Sequence, residues 1–153
     1  MAQLILDKTL EGSWSLVAVN SVQTSLSFDW AVTFTLDADT AIRIECPFTL
    51  LNRVSAPIEL DPQSNPESLA PVLALVRRYF TELKISSFGE MHISFDGGYQ
   101  VAIKPSPMYE AWDLWYENSI HLICLPGGGM AEWTMAVMKR NRIFRGFPVL
   151  FRI

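Results

Sequence analysis

The alternation of apolar and polar positions along this chain predicts strands first, one helix in the middle, and strands again. Residues 13–22 and 27–36 are rich in β-branched and aromatic side chains, a composition that suits a pleated, half-buried surface. In the second segment Phe28, Trp30, Val32, Phe34 and Leu36 alternate with Asp29, Ala31, Thr33 and Thr35. A period of two sends one set of side chains to a core and the other to solvent. Asp37-Ala38-Asp39 then turns the chain into 41–47, where Ile42 and Ile44 point opposite to Arg43 and Glu45, so the two runs read as a hairpin.

Over Asp61–Lys84 the apolar period lengthens to three and four, through Leu69, Val72, Leu73, Val76, Phe80 and Leu83. That spacing draws one buried stripe along a helix. Ser64 or Asn65 can cap it, Pro66 suits the first helical position, and Glu67 favours the positive end of its dipole. Pro71 falls in the first turns, where it displaces the start without breaking the helix. After Phe88-Gly89 the period of two returns in Met91, Ile93 and Phe95, and Asp96-Gly97-Gly98 signals a hairpin into Tyr99, Val101 and Ile103. Lys104-Pro105-Ser106-Pro107 interrupts pairing. No repeat or linker divides the chain, so residues 1–153 read as a single α+β domain: a meandering antiparallel β-sheet with one principal α-helix.

The densest stretch runs from Tyr109 to Trp133, YEAWDLWYENSIHLICLPGGGMAEW. Three successive glycines after a strand carry a large ordering cost. Gly127, Gly128 and Gly129 therefore mark a place that needs either an unusual turn or a close approach by another molecule. Trp112 and Trp115 stand three apart, so on a strand one faces the core and the other the surface. An exposed aromatic beside a glycine loop resembles the anchors of protein interfaces.

Composition narrows the class. Half of the 153 residues are hydrophobic, which excludes disorder, yet no apolar run approaches the roughly 20 residues of a membrane span. The start of the chain has neither the basic region nor the apolar length of a signal peptide. Cys46 and Cys124 sit in apolar runs and read as buried free thiols, which suits a reducing, cytoplasmic setting. All sixteen acidic residues precede Met138, against seven of the twelve basic ones, a formal charge of −9 for that body. Nucleic acid is disfavoured as a partner by such a surface. The last fifteen residues carry five cations and no acid, interleaved with Ile143, Phe144, Phe147, Val149, Leu150, Phe151 and Ile153. Residues 139–153 thus read as a C-terminal strand or arm docked on the body.

The chain offers little for chemistry. His92 and His121 each occupy the polar phase of a strand, and no Cys or His pair has zinc spacing. The glycine run has no following Lys-Ser or Lys-Thr, so it is not a phosphate loop. Glu110 and Asp113, with Glu117 beyond, can supply carboxylates, but three apart on a strand Glu110 and Asp113 face opposite sides. We expect no catalytic residue, metal or cofactor.

Tyr109-Glu110-Ala111-Trp112, followed about a dozen residues later by Cys124-Leu125-Pro126-Gly127-Gly128 and a closing Trp133, resembles a family of small bacterial proteins that share a Tyr-Glu-Ala-Trp segment and a Pro-Gly-Gly loop. Cys46-Pro47-Phe48 and the Asp96-Gly97 turn are similar to it too, and the likeness spans most of residues 12 to 135. Where that family commonly places an acidic residue after the two glycines, this chain has Gly129. The resemblance implies an immunity-type protein that binds a cognate bacterial toxin, an NAD-degrading one among the candidates, and occludes its active site without chemistry of its own. Partner contact is then expected from Gly127, Gly128, Gly129 and Met130 together with Tyr109, Glu110, Trp112 and Asp113. The alternatives are a small-molecule binding module, with its ligand between sheet and helix, and a structural subunit that forms homodimers through its tail.

Overall fold

A computed structural model describes residues 3–135 and 150–152. Its strands form two seven-stranded, wholly antiparallel sheets around one core. The first sheet contains β1 (Leu4–Lys8), β2 (Trp14–Gln23), β6 (Phe48–Leu51), β7 (Ile58–Leu60), β8 (Tyr79–Ile85), β9 (Met91–Phe95) and β10 (Gln100–Ile103), in the spatial order β1-β2-β8-β9-β10-β6-β7. The second contains β3 (Ser25–Phe28), β4 (Val32–Thr35), β5 (Ala41–Ile44), β11 (Trp112–Tyr116), β12 (Ile120–Cys124), β13 (Met130–Met135) and β14 (Leu150–Arg152), in the order β14-β13-β12-β11-β5-β4-β3. The chain switches sheets at Thr24, at Cys46-Pro47 and again through 104–111, and in the last two places prolines end the ladders.

The period-two reading holds over Val32–Thr35 and Ala41–Ile44. Val32 pairs with Ile44 and Phe34 with Ile42, and all four are fully buried. The hairpin at Asp96-Gly97-Gly98 joins β9 to β10, with Gly97 and Gly98 both at positive φ. Leu16, Leu83, Ile93 and Val101 from the first sheet meet Phe34, Ile42, Leu114 and Leu122 from the second in a single cluster. The rings of Phe34 and Phe95 lie 5.8 Å apart across it.

Two expectations are corrected. The expected helix over Asp61–Lys84 is a 3-10 helix confined to Pro66–Leu75, so the fold is mostly β and not α+β with a principal α-helix. Its buried residues are Leu69, Val72 and Leu75, the three-residue repeat of a 3-10 helix, while Leu73 and Val76 are exposed. Asn65 caps it as expected, accepting from the Glu67 amide. Pro71 inside removes a donor, Val76 is already extended, and Arg77 adopts φ 67, which stops the helix. The aromatic and β-branched run Tyr79-Phe80-Thr81 then enters β8, and this places Phe80 and Leu83 on a strand.

The run 27–36 is likewise not one strand. The Asp29 carboxylate accepts the Ala31 amide at 2.7 Å and folds the chain back, pairing Phe28 with Val32. Trp30 therefore sits at a hairpin tip, 72% exposed. Within the expected arm over 139–153, Leu150–Arg152 pairs with β13, Trp133 lying opposite Arg152. Residues 139–149 and 153 lie outside the described residues.

Candidate partner-binding site

Three loops from both sheets meet at one pole, and the glycine run lies among them. The turn from Ser86 to Glu90, between β8 and β9, is closed by the Gly89 amide on the Ser86 carbonyl and the Ser86 amide on the Glu90 carbonyl, each 2.9 Å. Gly89 has φ +92, and a Cβ there would stand 2.9 Å from Cys124 Sγ and 3.1 Å from the Gly129 carbonyl. The close approach of the two sheets therefore requires glycine at 89. Its carbonyl accepts the Trp112 indole N–H at 2.8 Å and faces the Cys124 thiol at 3.6 Å.

The glycine loop between β12 and β13 is fixed onto this turn. Gly129 donates to the Phe88 carbonyl at 2.6 Å and Gly127 to the Ser106 carbonyl at 2.8 Å, while Gly128 donates to Leu125 and Leu125 to Gly129 within the loop. All three glycines have positive φ, from 80 to 107. A left-handed turn tied to two neighbouring loops thus accounts for the run. A Cβ at Gly128 would lie 3.2 Å from the Phe88 carbonyl, whereas at Gly127 and Gly129 it would meet nothing within 4 Å.

Around this scaffold stand exposed apolar side chains. Phe88 is 76% and Met108 80% exposed, and Tyr109, next to Met108, is 44% exposed. The Met108 amide is pinned by the Ser106 hydroxyl at 3.2 Å, so the segment that carries the methionine is held to the same framework. Phe88 and Met108 escaped the reading of the sequence because each is a lone apolar residue in a polar loop. Only the sheet-to-sheet contact brings them to one place.

The residues expected to contact a partner divide accordingly. Gly127, Gly128, Gly129 and Tyr109 are at the pole, with Glu110 exposed next to them. Met130 begins β13 and packs half-buried on the core. Trp112 is 1% exposed and serves as the bolt between sheets; it offers no surface of its own. Asp113 points the other way, onto the outer face of the second sheet, where its carboxylate meets His121 Nε2 at 3.1 Å. The His121 ring stacks on Trp115, centroids 3.5 Å apart, in a directly opposed pair of β11 and β12. The expectation that Trp112 and Trp115 face opposite ways is met.

Cys46 and Cys124 are both buried and free. Burial, with the neighbouring Cys124 adding to it, pushes the Cys46 thiol up to about 12, and burial raises Cys124 as well. Neither is a thiolate nucleophile at neutral pH. Among the described residues, no three His, Cys, Asp or Glu side chains gather as they would to hold a metal. No helix among them is long and apolar enough to cross a membrane.

Residues 14–134 match a family of unknown function, DUF6188, and the chain belongs to that family. The matched span contains both sheets' central strands and all three loops of the pole. No curated protein and no solved structure matches the chain.

Proposed function

We propose, from that membership and this geometry, that the chain is a non-catalytic binding protein that docks a partner protein at the glycine-loop pole. The partner class suggested by the Tyr-Glu-Ala-Trp and Pro-Gly-Gly resemblance is a bacterial toxin, inhibited by occlusion in the cytosol. The observation that carries the reading is the group of exposed Phe88, Met108 and Tyr109 side chains on a hydrogen-bonded glycine framework. Rigid loops that present aromatic and methionine side chains lose little entropy on binding and make effective anchors. The acidic body would steer a basic partner toward the surface.

The test uses the full chain as bait. Wild-type protein should retain a partner from lysate of its native strain and protect cells that express that partner. Phe88→Ser combined with Met108→Ser should abolish both while leaving the melting temperature within a few degrees, because exposed side chains contribute little to stability. Full protection by the folded double variant would overturn the assignment of the pole.

A second reading, small-molecule binding, rests on a different feature. An open groove of about 510 Å³ lies against the first sheet, lined by Thr9, Ser13, Ser15, Lys84, Glu90 and His92 among others. It is not between sheet and helix, where a ligand was expected. Thermal stabilisation by a metabolite, lost on His92→Ala, would favour it.

A further inference from the structure

Of the seven cations before Met138, three are in ion pairs with carboxylates among the described residues. Lys8 pairs with Glu132, Arg43 with Asp29 and Glu45, and Lys84 with Glu82. Arg53, Arg77 and Arg78 make no ion pair with any described carboxylate.

Arg53 and Arg78 converge on a single turn. A Cβ on Gly97 would lie 2.6 Å from Arg78 Nη1, and one on Gly98 would lie 2.6 Å from Arg53 Nε. The two side chains therefore rest on adjacent glycines, and their guanidinium groups are no further apart than about 12 Å given the Cα spacing of neighbouring residues. Arg78 is held in addition by the Tyr99 ring, 4.7 Å from the guanidinium carbon, and by the Ala74 carbonyl at 3.4 Å. It is thus positioned by an aromatic face, a carbonyl and a glycine, with no anion. The turn's own carboxylate, Asp96, accepts the Tyr79 amide at 2.8 Å.

We infer that this turn is a binding site for a phosphate-bearing small molecule with more than one oxyanion group, a polyphosphate or nucleoside triphosphate. Guanidinium forks match phosphate oxygens in pairs, and a pre-positioned fork spends little entropy on each bond. Two guanidiniums resting on one turn suit two anionic groups of one ligand better than a single ion. The site lies at the hairpin between β9 and β10, near the end of the 3-10 helix, and is independent of the glycine-loop pole.

Calorimetric titration of the full chain at low salt tests the inference, with inorganic tripolyphosphate and ATP as separate probes. One saturable site is expected. Arg78→Gln and Arg53→Gln should each weaken it by about tenfold, the loss of one charge-assisted contact, while Lys84→Gln should change it by no more than about twofold. The two arginines come from different loops, so if Arg78→Gln disturbs the fold, Arg53→Gln still decides. Tighter binding of ATP identifies a nucleotide ligand, and equal binding identifies the phosphate chain as the recognised part. No saturable binding, or equal weakening by all three substitutions, overturns the inference.

Discussion

At the scale of single residues, Gly128 and Gly129 look alike in sequence and differ in what surrounds them. Both are left-handed, at φ 107 and 84, so a Cβ at either strains the backbone by about 1 kcal/mol or more. At Gly128 it also presses on the Phe88 carbonyl, whereas at Gly129 it points into open space. Gly128→Ala should therefore give the larger drop in melting temperature. Gly129→Ala should weaken partner binding by its folded fraction, because its methyl group would stand where a partner approaches. Binding losses that merely track the loss of stability at both positions would reduce the glycine run to a turn. The fold-side reason for the run, positive φ, was legible from three glycines in a row. The space beyond Gly129 was not, since it depends on where two other loops end.

Among the elements, the 3-10 helix and β14 show how neighbours settle what local pattern leaves open. Leu69, Val72, Leu73, Val76, Phe80 and Leu83 fit a helical stripe on paper, but Pro71 and the left-handed Arg77 break the segment before Phe80 arrives. At the other end, β13 carries β12 on one side and β14 on the other. Removing residues after Met138 takes β14 away and leaves one edge of β13 with unpaired amides and carbonyls, a template for pairing with another chain. The truncated protein should melt at lower temperature or self-associate, as light scattering over a concentration series would show. Unchanged melting and mass would mean that the β13–β14 pairing contributes nothing measurable.

For the molecule as a whole, the two sheets share one core, and that core includes both thiols. Cys46 has a folded pKa of about 12 against an ordinary value of 9.0, and Cys124 is raised too, in each case chiefly by burial. Below pH 9 the thiols are neutral in both states and their burial is fully favourable. As pH rises from 9 toward 12 the unfolded chain loses these protons while the folded chain retains them, so stability falls. Melting temperature should decline across that window, in one transition seen alike by tryptophan fluorescence and far-ultraviolet circular dichroism. Replacing both cysteines with alanine should flatten the alkaline slope, even though the cavities lower the starting stability. An unchanged slope would place its origin in other groups.

The sequence by itself determined the strands of the second half of 27–36, of 41–44 and of 91–103, the turns built from Asp and Gly, and the burial of the cysteines, because each depends on neighbours within a few residues. Asp37-Ala38-Asp39 and Asp96-Gly97-Gly98 lie where their turn chemistry put them. Local pattern also placed Trp112 and Trp115 on opposite faces. Only the tertiary structure decided that 27–36 doubles back at Asp29, that His121 lies against Asp113 and Trp115, and that Phe88, Met108 and Tyr109 surround the glycine loop. The gathering of Arg53 and Arg78 over two glycines was equally hidden. Alternation assigns a residue to a face but carries no information about which distant loop will reach it. That is set by strand order and register, which follow from the packing of both sheets on one core.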